Sequence, residues 1–404
     1  MVYLYSVLCC LFLFPYLGWR AGQVLGPRLH RIFWGLLVLI FVLFSIALLI
    51  HRRFEADWMS AVMNGSVYIF FSTMYATAVV VGVNILRYID GRTLKFYASA
   101  RPAVKQGVKV IAFIATLAVF FTTMVIGHRN VRYPRVMYQK YTVKRLVPEG
   151  AQPDKLRRVK IGKLYEYEGL NRVEVKEAEF GSIVAVSGIS DLHIGEAMTP
   201  DYIARAVKLI QDQQPDLILC GGDFIDHRAV YAYDPRVMAS LRSLHAPLGV
   251  YYVLGNHEYR DDLEANIRWV SEVGGTLLRD SIAFPGDGPL TLIGRDDWVN
   301  GNRKPFEVIA NEADPLRGPV VLMEHTPASI DSIGDSPVDL ILCGHTHGGQ
   351  IWPGQLMVWW RYGMASGTRP VGEREVCISS GIGSAGATYR VGTRSEIRVY
   401  DLYW

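Results

Sequence analysis

Five short segments in the second half of the chain each contain side chains that can bind a metal ion. These segments are Asp191-Leu192-His193, Gly222-Asp223, Gly255-Asn256-His257-Glu258, Glu324-His325-Thr326 and Gly344-His345-Thr346-His347-Gly348-Gly349-Gln350. Together they carry enough carboxylate, amide and imidazole groups to hold two neighbouring metal ions. A pair of close metal ions typically serves phosphate-ester hydrolysis, because the two ions activate water and clamp the phosphoryl oxygens. The residue types therefore predict metal-dependent hydrolysis of a phosphate ester.

The last of these segments is the strongest single signal. His345 and His347 are two residues apart in a glycine-rich loop, where two imidazoles are unfavourable unless they bind something. The glycines permit positive φ and close approach of the backbone to a ligand. The Asp-x-His and Gly-Asp segments are weak alone, because such short patterns are common in loops. The conjunction is stronger, since five of the ten histidines of the chain lie in these segments.

Apolar runs that are typical of buried strands precede most of these segments. The runs cover residues 182–189, 216–220, 249–254, 319–323 and 338–343. Helical spacing of apolar residues between them predicts helices at residues 200–214, 235–244 and 262–273. The alternation predicts an α/β domain with a mostly parallel sheet, whose ligand sites lie past the carboxyl ends of the strands. Shorter runs predict additional antiparallel strands at residues 290–293, 375–378 and 396–402.

The first part of the chain is far more apolar than the second. Half of the 404 residues are apolar (50%), and the mean hydropathy of +0.17 is too high for an ordinary soluble enzyme. The excess lies in four long runs, at residues 2–18, 32–50, 62–86 and 110–127. Because about 20 apolar residues cross the roughly 30 Å of hydrocarbon in a bilayer, these runs predict an all-α transmembrane domain of about four helices.

These patterns divide the chain into three parts. We predict a transmembrane helical domain at residues 1–127, a basic connector at residues 128–180 and a catalytic domain at residues 181–404. The connector is interpreted either as an amphipathic collar on anionic lipid or as a solvated connector ending in an edge hairpin. Its basic cluster consists of Lys155, Arg157, Arg158 and Lys160.

Basic residues between the apolar runs predict the orientation of the chain in a cell (inner) membrane. Three arginines follow the first run, two follow the second, and six lysines or arginines follow the third. Lysine and arginine accumulate in cytoplasmic loops, so this distribution places the first and third loops in the cytoplasm and the catalytic domain outside. Arg129, Arg132 and Arg135 follow the fourth run and oppose this placement, but the rule weakens before a long domain.

The charge distribution argues for a membrane partner and against nucleic acid. The net charge is +4, and much of the positive charge flanks the apolar runs. The second half has no interleaved stripe of basic and aromatic residues, so no nucleic-acid partner is expected. The five cysteines show no metal-binding spacing, and the free thiols are interpreted as small buried apolar groups.

The order of the five segments resembles that of the calcineurin-like metallophosphoesterases, over about residues 182–404. The extended Gly-His-Thr-His-Gly-Gly-Gln segment, with Ser379-Ser380-Gly381-Ile382-Gly383 and Arg390 further on, is similar to a membrane-anchored bacterial branch. That branch includes enzymes resembling UDP-2,3-diacylglucosamine hydrolases. The resemblance implies a four-layer αββα sandwich. Glu258 stands where many members have Asp, and neither it nor Glu324 is expected to bind metal.

The resemblance also implies a role for each residue of the site. Asp191, His193, Asp223 and His347 would hold one metal ion, and Asp223, Asn256, His325 and His345 would hold the other. Asp223 would bridge the two ions together with a water or hydroxide. His257 would donate a proton to the leaving oxygen or orient the phosphate as a cation. Gln350 and Arg390 would contact substrate phosphate, with a surface salt bridge as the alternative for Arg390.

The cofactors and the substrate are less sharply defined. Mixed Asp, Asn and His ligation suits two divalent ions of Mn, Fe or Zn. The first hypothesis is a membrane-bound phosphoesterase that acts on a phosphorylated lipid or another envelope component. The second is a membrane-anchored protein phosphatase, or a nucleotide or nucleic-acid phosphodiesterase. The third is a non-catalytic metal-binding sensor or transport partner, against which the complete set of predicted ligands argues.

Overall fold

The chain folds into two compact units. Met1–Asn130 and Ala387–Val391 form the first, which we call the helical unit, and Val131–Gly386 and Gly392–Trp404 form the second, the sheet unit. The three-part division at residues 127 and 180 stays a prediction. The computed structural model describes residues 2–50, 57–146, 165–168, 171–174, 183–195, 198–226, 229–334, 336–386 and 388–404.

Four of the helices described in the helical unit contain the long apolar runs of the sequence. The described helices of this unit are α1 (Val2–Ala21), α2 (Pro27–Ile50), α3 (Asp57–Arg92), α4 (Phe96–Ser99) and α5 (Pro102–Arg132). The short helix α4 is the one without a long apolar run. Both α2 and α5 begin with proline, which fits the first helical position because no amide hydrogen is needed there. Helices α1 and α2 approach closely at Gly18, where a β-carbon would lie 2.5 Å from the ring of Trp34.

Among the described residues, two segments of the helices are long and apolar enough to cross a membrane. They are Val67–Arg92 in α3 and Pro102–Arg132 in α5. The predicted runs at residues 2–18 and 32–50 are also helical, in α1 and α2. Membrane association is thus indicated, whereas the number of crossings stays a prediction.

A short segment from the last part of the chain also belongs to the helical unit. The Thr388 hydroxyl lies 3.2 Å from the Tyr68 hydroxyl, and the Tyr389 hydroxyl lies 3.2 Å from Ser72 Oγ. The Tyr389 ring stacks on Phe71, with 5.4 Å between the ring centres. The helical unit is therefore completed by residues more than 250 positions after its own helices.

The sheet unit contains two six-stranded sheets. In spatial order, the first consists of β1 (Arg135–Thr142), β14 (Glu396–Tyr403), β4 (Ile183–Ile189), β5 (Leu217–Cys220), β6 (Val250–Tyr252) and β7 (Thr276–Leu277). The second consists of β12 (Gly367–Val371), β13 (Arg374–Ile378), β11 (Leu340–Cys343), β10 (Val320–Met323), β9 (Thr291–Gly294) and β8 (Ser281–Ala283). A separate hairpin pairs β2 (Tyr165–Glu168) with β3 (Asn171–Glu174).

The strands pair mostly in parallel, as the sequence predicts. Strands β4 to β7 are parallel neighbours, and so are β9, β10, β11 and β13. The three strands predicted as antiparallel additions are β9, β13 and β14. Each pairs antiparallel with one neighbour and parallel with the other. The prediction was thus correct for one neighbour of each, since a short apolar run shows that a strand exists but not which strands flank it.

Helices flank both sheets of this unit. They are α6 (Pro200–Gln211), α7 (Ala229–Ala232), α8 (Pro235–Arg242), α9 (Leu263–Glu272), α10 (Phe306–Ala310) and α11 (Gly354–Tyr362). The side chains of Thr199, Asp234 and Asp262 accept hydrogen bonds from the first turns of α6, α8 and α9, which satisfies amides that the helix leaves open. The helices predicted at residues 200–214, 235–244 and 262–273 are confirmed to within a few residues.

Three apolar cores separate the layers. One packs α6, α8 and α9 against the first sheet, with Ile203, Ile218 and Trp269 as members. The second lies between the two sheets, and the third packs α10 against the second sheet. This layering is consistent with the αββα sandwich expected from the resemblance. It also leaves the carboxyl ends of the parallel strands free to carry side chains that do not belong to a core.

The stretch predicted as a connector contains a strand of the first sheet. Strand β1 pairs in parallel with β14 over its whole length, from Arg135 opposite Glu396 to Thr142 opposite Tyr403. The hairpin of β2 and β3 lies further along the same stretch. The basic cluster at residues 155–160 lies outside the described residues, so its proposed contact with lipid stays a prediction.

Candidate metal centre

All seven predicted metal ligands lie in loops that follow strands. Asp191 and His193 follow β4, Asp223 follows β5, and Asn256 follows β6. The other three come from the second sheet, with His325 after β10, and His345 and His347 after β11. Because parallel strands present their carboxyl ends at the same edge of a sheet, loops from both sheets converge.

The first group of converging side chains consists of Asp191, His193 and His347. Their ligand atoms all lie within 4.8 Å of one another, and all three residues are buried. His193 Nε2 lies 2.9 Å from His347 Nε2. Asp191 Oδ1 lies 3.4 Å from His347 Nε2 and 4.0 Å from His193 Nε2. Two imidazoles and one carboxylate thus face the same point, as in a site for a divalent transition metal.

The second group consists of Asp223, His325 and His345, with Asn256 beside it. The ligand atoms of the first three lie within 4.8 Å of one another. Asp223 Oδ2 lies 3.1 Å from His325 Nε2, and Asn256 Oδ1 lies 2.7 Å from His345 Nδ1. The structure therefore brings together the residues that the sequence predicted for the other ion.

Asp223 lies between the two groups. Its Oδ2 is 3.8 Å from His193 Nε2 of the first group and 3.1 Å from His325 Nε2 of the second. Its other oxygen, Oδ1, accepts a hydrogen bond of 2.8 Å from the backbone amide of His257. One carboxylate thus reaches both groups while its second oxygen is held by the backbone.

The chemistry of His325 fits a metal ligand. Its Nδ1 lies 2.7 Å from the carbonyl oxygen of Gly221, so Nδ1 carries a proton and Nε2 is the ring atom that faces the site. That Nε2 is buried without a hydrogen-bond partner and points at the carboxylate of Asp223. A buried imidazole nitrogen that faces a carboxylate needs a positive charge between the two groups, which either a proton or a metal ion can supply. The donor set of this site therefore fits divalent metal ions.

Several candidate ligands adopt a backbone conformation that L-residues rarely adopt. Asp191, His193, Asp223, His345 and His347 have positive φ angles between 49° and 67°. Such residues cost free energy and cluster at functional sites, where the surrounding fold holds them. The left-handed turns direct these side chains toward a common point, which an extended continuation of the strand would not do.

Glycines next to the ligands are needed for space. A β-carbon on Gly255 would lie 2.3 Å from Asp223 Oδ1, and one on Gly344 would lie 2.5 Å from Asp191 Oδ2. These distances are far below van der Waals contact. The glycine that precedes Asn256, and the one that precedes His345, therefore allow the loops to pack directly against carboxylates of the site.

Glu258 positions the Asp223 loop, a role that the sequence analysis missed. Its Oε1 accepts hydrogen bonds from the amides of Phe224 (2.7 Å) and Ile225 (3.0 Å), and its Oε2 from those of Asp223 (3.0 Å) and Gly255 (2.7 Å). Burial, and then the charge of Asp223, raise the pKa of Glu258 to about 7, while the amides favour its charged form. The signal available in the sequence was a carboxylate directly after a ligand loop at the end of a buried strand.

The loop of His325 is held by a second set of buried charges. Arg303 Nη1 donates to Glu324 Oε1 at 2.7 Å, and the Thr326 hydroxyl donates to Asp297 Oδ2 at 2.8 Å. Glu324 and Thr326 are the two neighbours of His325 in the chain. The ligand is thus fixed from both sides, and Asp297, which follows β9, had no part in the sequence prediction.

The electrostatic environment shifts the pKa values of the two imidazoles of the second group in opposite directions. Burial alone would lower the pKa of His325, but Asp223 raises it well above its ordinary value. Burial, and then the positive charge of His325, lower the pKa of His345 to about 4. Burial also opposes the charged form of Asp223, yet His325, followed by His193 and His257, holds its pKa well below the usual range. His345 is therefore neutral at pH 7, the form that binds metal.

His257 lies at the rim of both groups. Its Nε2 is 3.9 Å from Asp223 Oδ2, and its Nδ1 is 2.9 Å from Asp226 Oδ1 and 2.9 Å from the Asp226 carbonyl oxygen. Asp226 Oδ1 also lies 3.4 Å from His193 Nδ1, so this carboxylate orients two imidazoles of the site.

The two predicted substrate-binding residues have other contacts. The side chain of Gln350 bonds the backbone of Ala385 in both directions, accepting from its amide at 3.1 Å and donating to its carbonyl at 3.3 Å. Arg390 is fully buried and belongs to the helical unit, where its amide donates to the carbonyl of Gly127. Contact of either residue with substrate phosphate stays a prediction.

The sequence of this region is similar to a known family. A family model described as calcineurin-like phosphoesterase matches residues 186–349, which include all seven candidate ligands. The match also includes Glu258 and His257, whereas Gln350 and Arg390 lie beyond it.

Named relatives share this similarity. An uncharacterized metallophosphoesterase of Helicobacter pylori (strain J99) is 29% identical over 241 residues, which cover 57% of this chain and 64% of that protein. The Escherichia coli protein named phosphodiesterase YaeI is 31% identical over 228 residues, covering 53% and 80% of the two chains. A Danio rerio protein named "transmembrane protein with metallophosphoesterase domain" is 28% identical over 231 residues, covering 52% and 51%. The chain thus spans less than two thirds of the length of the Helicobacter pylori relative.

Proposed function

This chain belongs to the calcineurin-like metallophosphoesterase family, and on that premise we propose that it is a membrane-bound phosphoesterase of lipid or cell-envelope substrates. The bond cleaved is a phosphate ester or a pyrophosphate. One observation carries the hydrolytic part of the proposal, namely that two groups of metal-ligand side chains meet at the single carboxylate of Asp223.

Each group of ligands would hold one divalent ion of Mn, Fe or Zn. Asp191, His193, His347 and Asp223 would hold the first, and Asp223, Asn256, His325 and His345 the second. When bound, the two ions would lower the pKa of a water molecule and stabilise both the attacking and the leaving oxygen. The contribution of the chain is to hold the ligands in place, through Glu258 beneath Asp223 and the Gly221 carbonyl beneath His325.

His257 would act on the leaving group. Its Nδ1 is held by Asp226, which leaves Nε2 as the ring atom closer to Asp223 Oδ2, at 3.9 Å. With Nδ1 held in this way, Nε2 is the ring atom that would donate a proton to the oxygen that departs from phosphorus. In this role His257 holds a proton and binds no metal. Replacing His257 should therefore lower kcat by a larger factor than it lowers the metal content of the protein.

Helix α11 supports an amphiphilic substrate, because it exposes a cluster of large apolar side chains next to a metal loop. Gly354, at its start, packs so closely on Gly349 of the histidine loop that a β-carbon would lie 2.5 Å from the Gly349 carbonyl oxygen. Among the exposed side chains, Met357 is 75% and Trp360 is 82% accessible. Trp352, Leu356 and Trp359 are also exposed. Tryptophan is favoured at the interface of a bilayer with water, so this surface suits contact with lipid.

The helical unit supplies the proposed membrane anchor. Its segments Val67–Arg92 and Pro102–Arg132 are long and apolar enough to cross a bilayer. We propose that all four long helices cross the membrane and that the sheet unit lies outside the cytoplasm. An alkaline-phosphatase reporter fused after Trp404 should be active under this topology. An inactive alkaline phosphatase with an active cytoplasmic reporter at the same position would reverse the orientation.

Metal-dependent hydrolysis is tested with the full chain in detergent. Protein stripped by a chelator should be inactive on a soluble aryl phosphodiester, and added Mn²⁺, Fe²⁺ or Zn²⁺ should restore activity. Elemental analysis should give two ions per chain for the wild type and fewer for Asp223→Asn. A well-folded protein that binds no metal under these conditions would overturn the proposal.

The lipid part of the proposal needs a separate test. Replacing Trp359 and Trp360 by glutamine should lower hydrolysis of a phospholipid presented in vesicles but leave hydrolysis of the soluble diester unchanged. Leu316→Gln is the matched control, because Leu316 is 88% exposed in the same unit but lies far along the chain from α11. Equal loss on both substrates, or no loss on vesicles, would contradict a role for α11 in contact with lipid. Comparison of membrane extracts from wild type and Asp223→Asn for phosphate released from lipids would then identify the substrate.

A further inference from the structure

The helical unit contains a partly open cavity of about 300 Å³ between its long helices. Residues of α1, α2, α3 and α5 line it, and most of them are apolar. The lining includes Leu17, Phe33, Leu37, Val80, Phe113 and Phe120. An apolar cavity of this size is unfavourable when it is empty or filled with water, so it suits an apolar occupant.

The cavity carries positive charge that is not balanced within the described part of the chain. Arg20 and Lys109 both line it, and no acidic residue does. Both side chains are half-buried, and neither has a carboxylate partner among the described residues. Arg20 is engaged by the face of Trp19, with 5.4 Å between the guanidinium carbon and the ring centre. Gln23 adds a neutral polar group to the same lining.

Both charges lie toward one end of the cavity. A hydrogen bond from Asn84 to the Tyr16 hydroxyl brings the carboxyl-terminal parts of α1 and α3 together, and α5 starts shortly after α3 ends. Arg20 therefore lies near the end of α1, and Lys109 in the second turn or so of α5, at the same end of the helical unit. From Lys109 to Phe121, α5 rises about 18 Å at roughly 1.5 Å per residue. The cavity thus has a cationic end and an apolar depth that matches an extended hydrocarbon chain.

We propose that this cavity binds one acyl chain of an anionic phospholipid, with the phosphate of that lipid on Arg20 and Lys109. The apolar lining contacts the acyl chain. Arg20 and Lys109 bind the lipid phosphate, whose negative charge balances theirs. A zwitterionic lipid would bring a third cation to a site that already has two. This lipid site belongs to the helical unit alone, and it does not depend on the metal centre or on the reaction proposed for it.

The first experiment fills the cavity. The full chain with Asp223→Asn, metal-free so that no lipid is hydrolysed, is placed in nanodiscs of phosphatidylglycerol and phosphatidylcholine, and retained lipid is measured by native mass spectrometry after transfer to detergent. Ala112 lines the cavity and Ala118, two turns further along α5, is exposed and does not. The parent protein and its Ala118→Trp variant should each retain one phosphatidylglycerol, and the Ala112→Trp variant should retain none. Equal retention by the two tryptophan variants would overturn the proposal.

The second experiment removes the charge and does not require a bulky substitution. Arg20→Gln with Lys109→Gln should lower the preference for phosphatidylglycerol over phosphatidylcholine by more than about tenfold, since each basic residue beside anionic lipid contributes about a factor of five. Arg28→Gln with Arg101→Gln is the control, because both residues are exposed, lie outside the lining and change the net charge equally. An unchanged preference in the first pair, or an equal loss in both, would overturn the proposal. Hydrolytic activity has no part in either readout, so failure here leaves the proposed reaction untouched, and loss of that reaction leaves this site untouched.

Discussion

The two units of the molecule bury and expose opposite kinds of side chain. In the sheet unit, Asp191 and His325 are almost completely buried. In the helical unit, Leu36, Ile111 and Ile114 are each more than half exposed. Buried charge is tolerated only where it is paired or binds an ion, and exposed apolar side chains on long helices are tolerated where the solvent is hydrocarbon. The contrast indicates that one unit is built around cations and the other for a bilayer.

The backbones differ in the same sense. Among the described residues other than glycine, Lys95 is the one residue of the helical unit with a positive φ angle. In the sheet unit, five candidate ligands have a positive φ angle. A fold stores such strain only where a rigid surrounding holds it. In the sheet unit the apolar cores on both sides of each sheet provide that support. Catalytic geometry is thus expected where packing is tightest, and lipid binding where packing leaves space.

The largest effect is expected from removal of the shared carboxylate. Asp223→Asn should lower hydrolysis of the soluble diester about 10³-fold or more, because metal ions contribute several kcal/mol of transition-state stabilisation. Lipid retention by the helical unit should be unchanged. Steady-state kinetics with Asp212→Asn as the control, an exposed carboxylate paired with Lys208, measures the effect. Nearly normal activity of Asp223→Asn would break the assignment of the reaction to the sheet unit.

The next largest effect is expected from Glu258, which acts through the Asp223 loop. Glu258→Gln places an amide where four backbone amides donate, so it should lower metal affinity about 10–100-fold and destabilise the fold by about 2–4 kcal/mol. Isothermal titration of the metal-free protein and thermal unfolding measure the two changes. Glu258→Asp keeps the charge and should recover part of the metal affinity. A purely structural role would lower the unfolding temperature of both variants with no change in metal affinity.

One pair of substitutions contrasts the surfaces of the two units. Ile114→Lys on α5 should cost about 3 kcal/mol if this face meets hydrocarbon, whereas Val308→Lys on α10 should be nearly neutral in water. The two side chains are similarly exposed, at 59% and 51%. The amount of protein recovered in membranes and its unfolding temperature in nanodiscs measure the difference. Equal tolerance of both lysines would remove the argument that α5 crosses a membrane.

The smallest effect is expected from the pH dependence of the metal-free sheet unit. His345 titrates at a pKa of about 4 in the fold and about 6.5 when unfolded, so between these values the unfolded chain binds the additional proton. Stability from this group is therefore complete above pH 6.5 and falls as the pH drops toward 4. The free energy of unfolding should decline more steeply over this range in the wild type than in His345→Gln, by up to a few kcal/mol. Urea unfolding at pH 7, 5.5 and 4 compares them, and parallel curves would contradict the burial of a neutral His345.

Local patterns were sufficient for the elements and for the identity of the candidate ligands. The apolar runs located β4, β5, β6, β10 and β11, because a strand buried on both faces is uniformly apolar. The polar residues directly after them then had to lie in loops at strand ends. Pairing directions were harder to predict, since β9, β13 and β14 each mix parallel and antiparallel neighbours.

The sequence by itself determined which side chains would converge and that an apolar helical part precedes them, because both follow from the spacing of residue types along a few turns of chain. Only the tertiary structure decided that Glu258 accepts hydrogen bonds from four amides beside Asp223, and that residues 388–391 complete the helical unit. These features join residues tens to hundreds of positions apart. Their energies come from contacts that exist only after the layers have packed, so no local pattern can encode them.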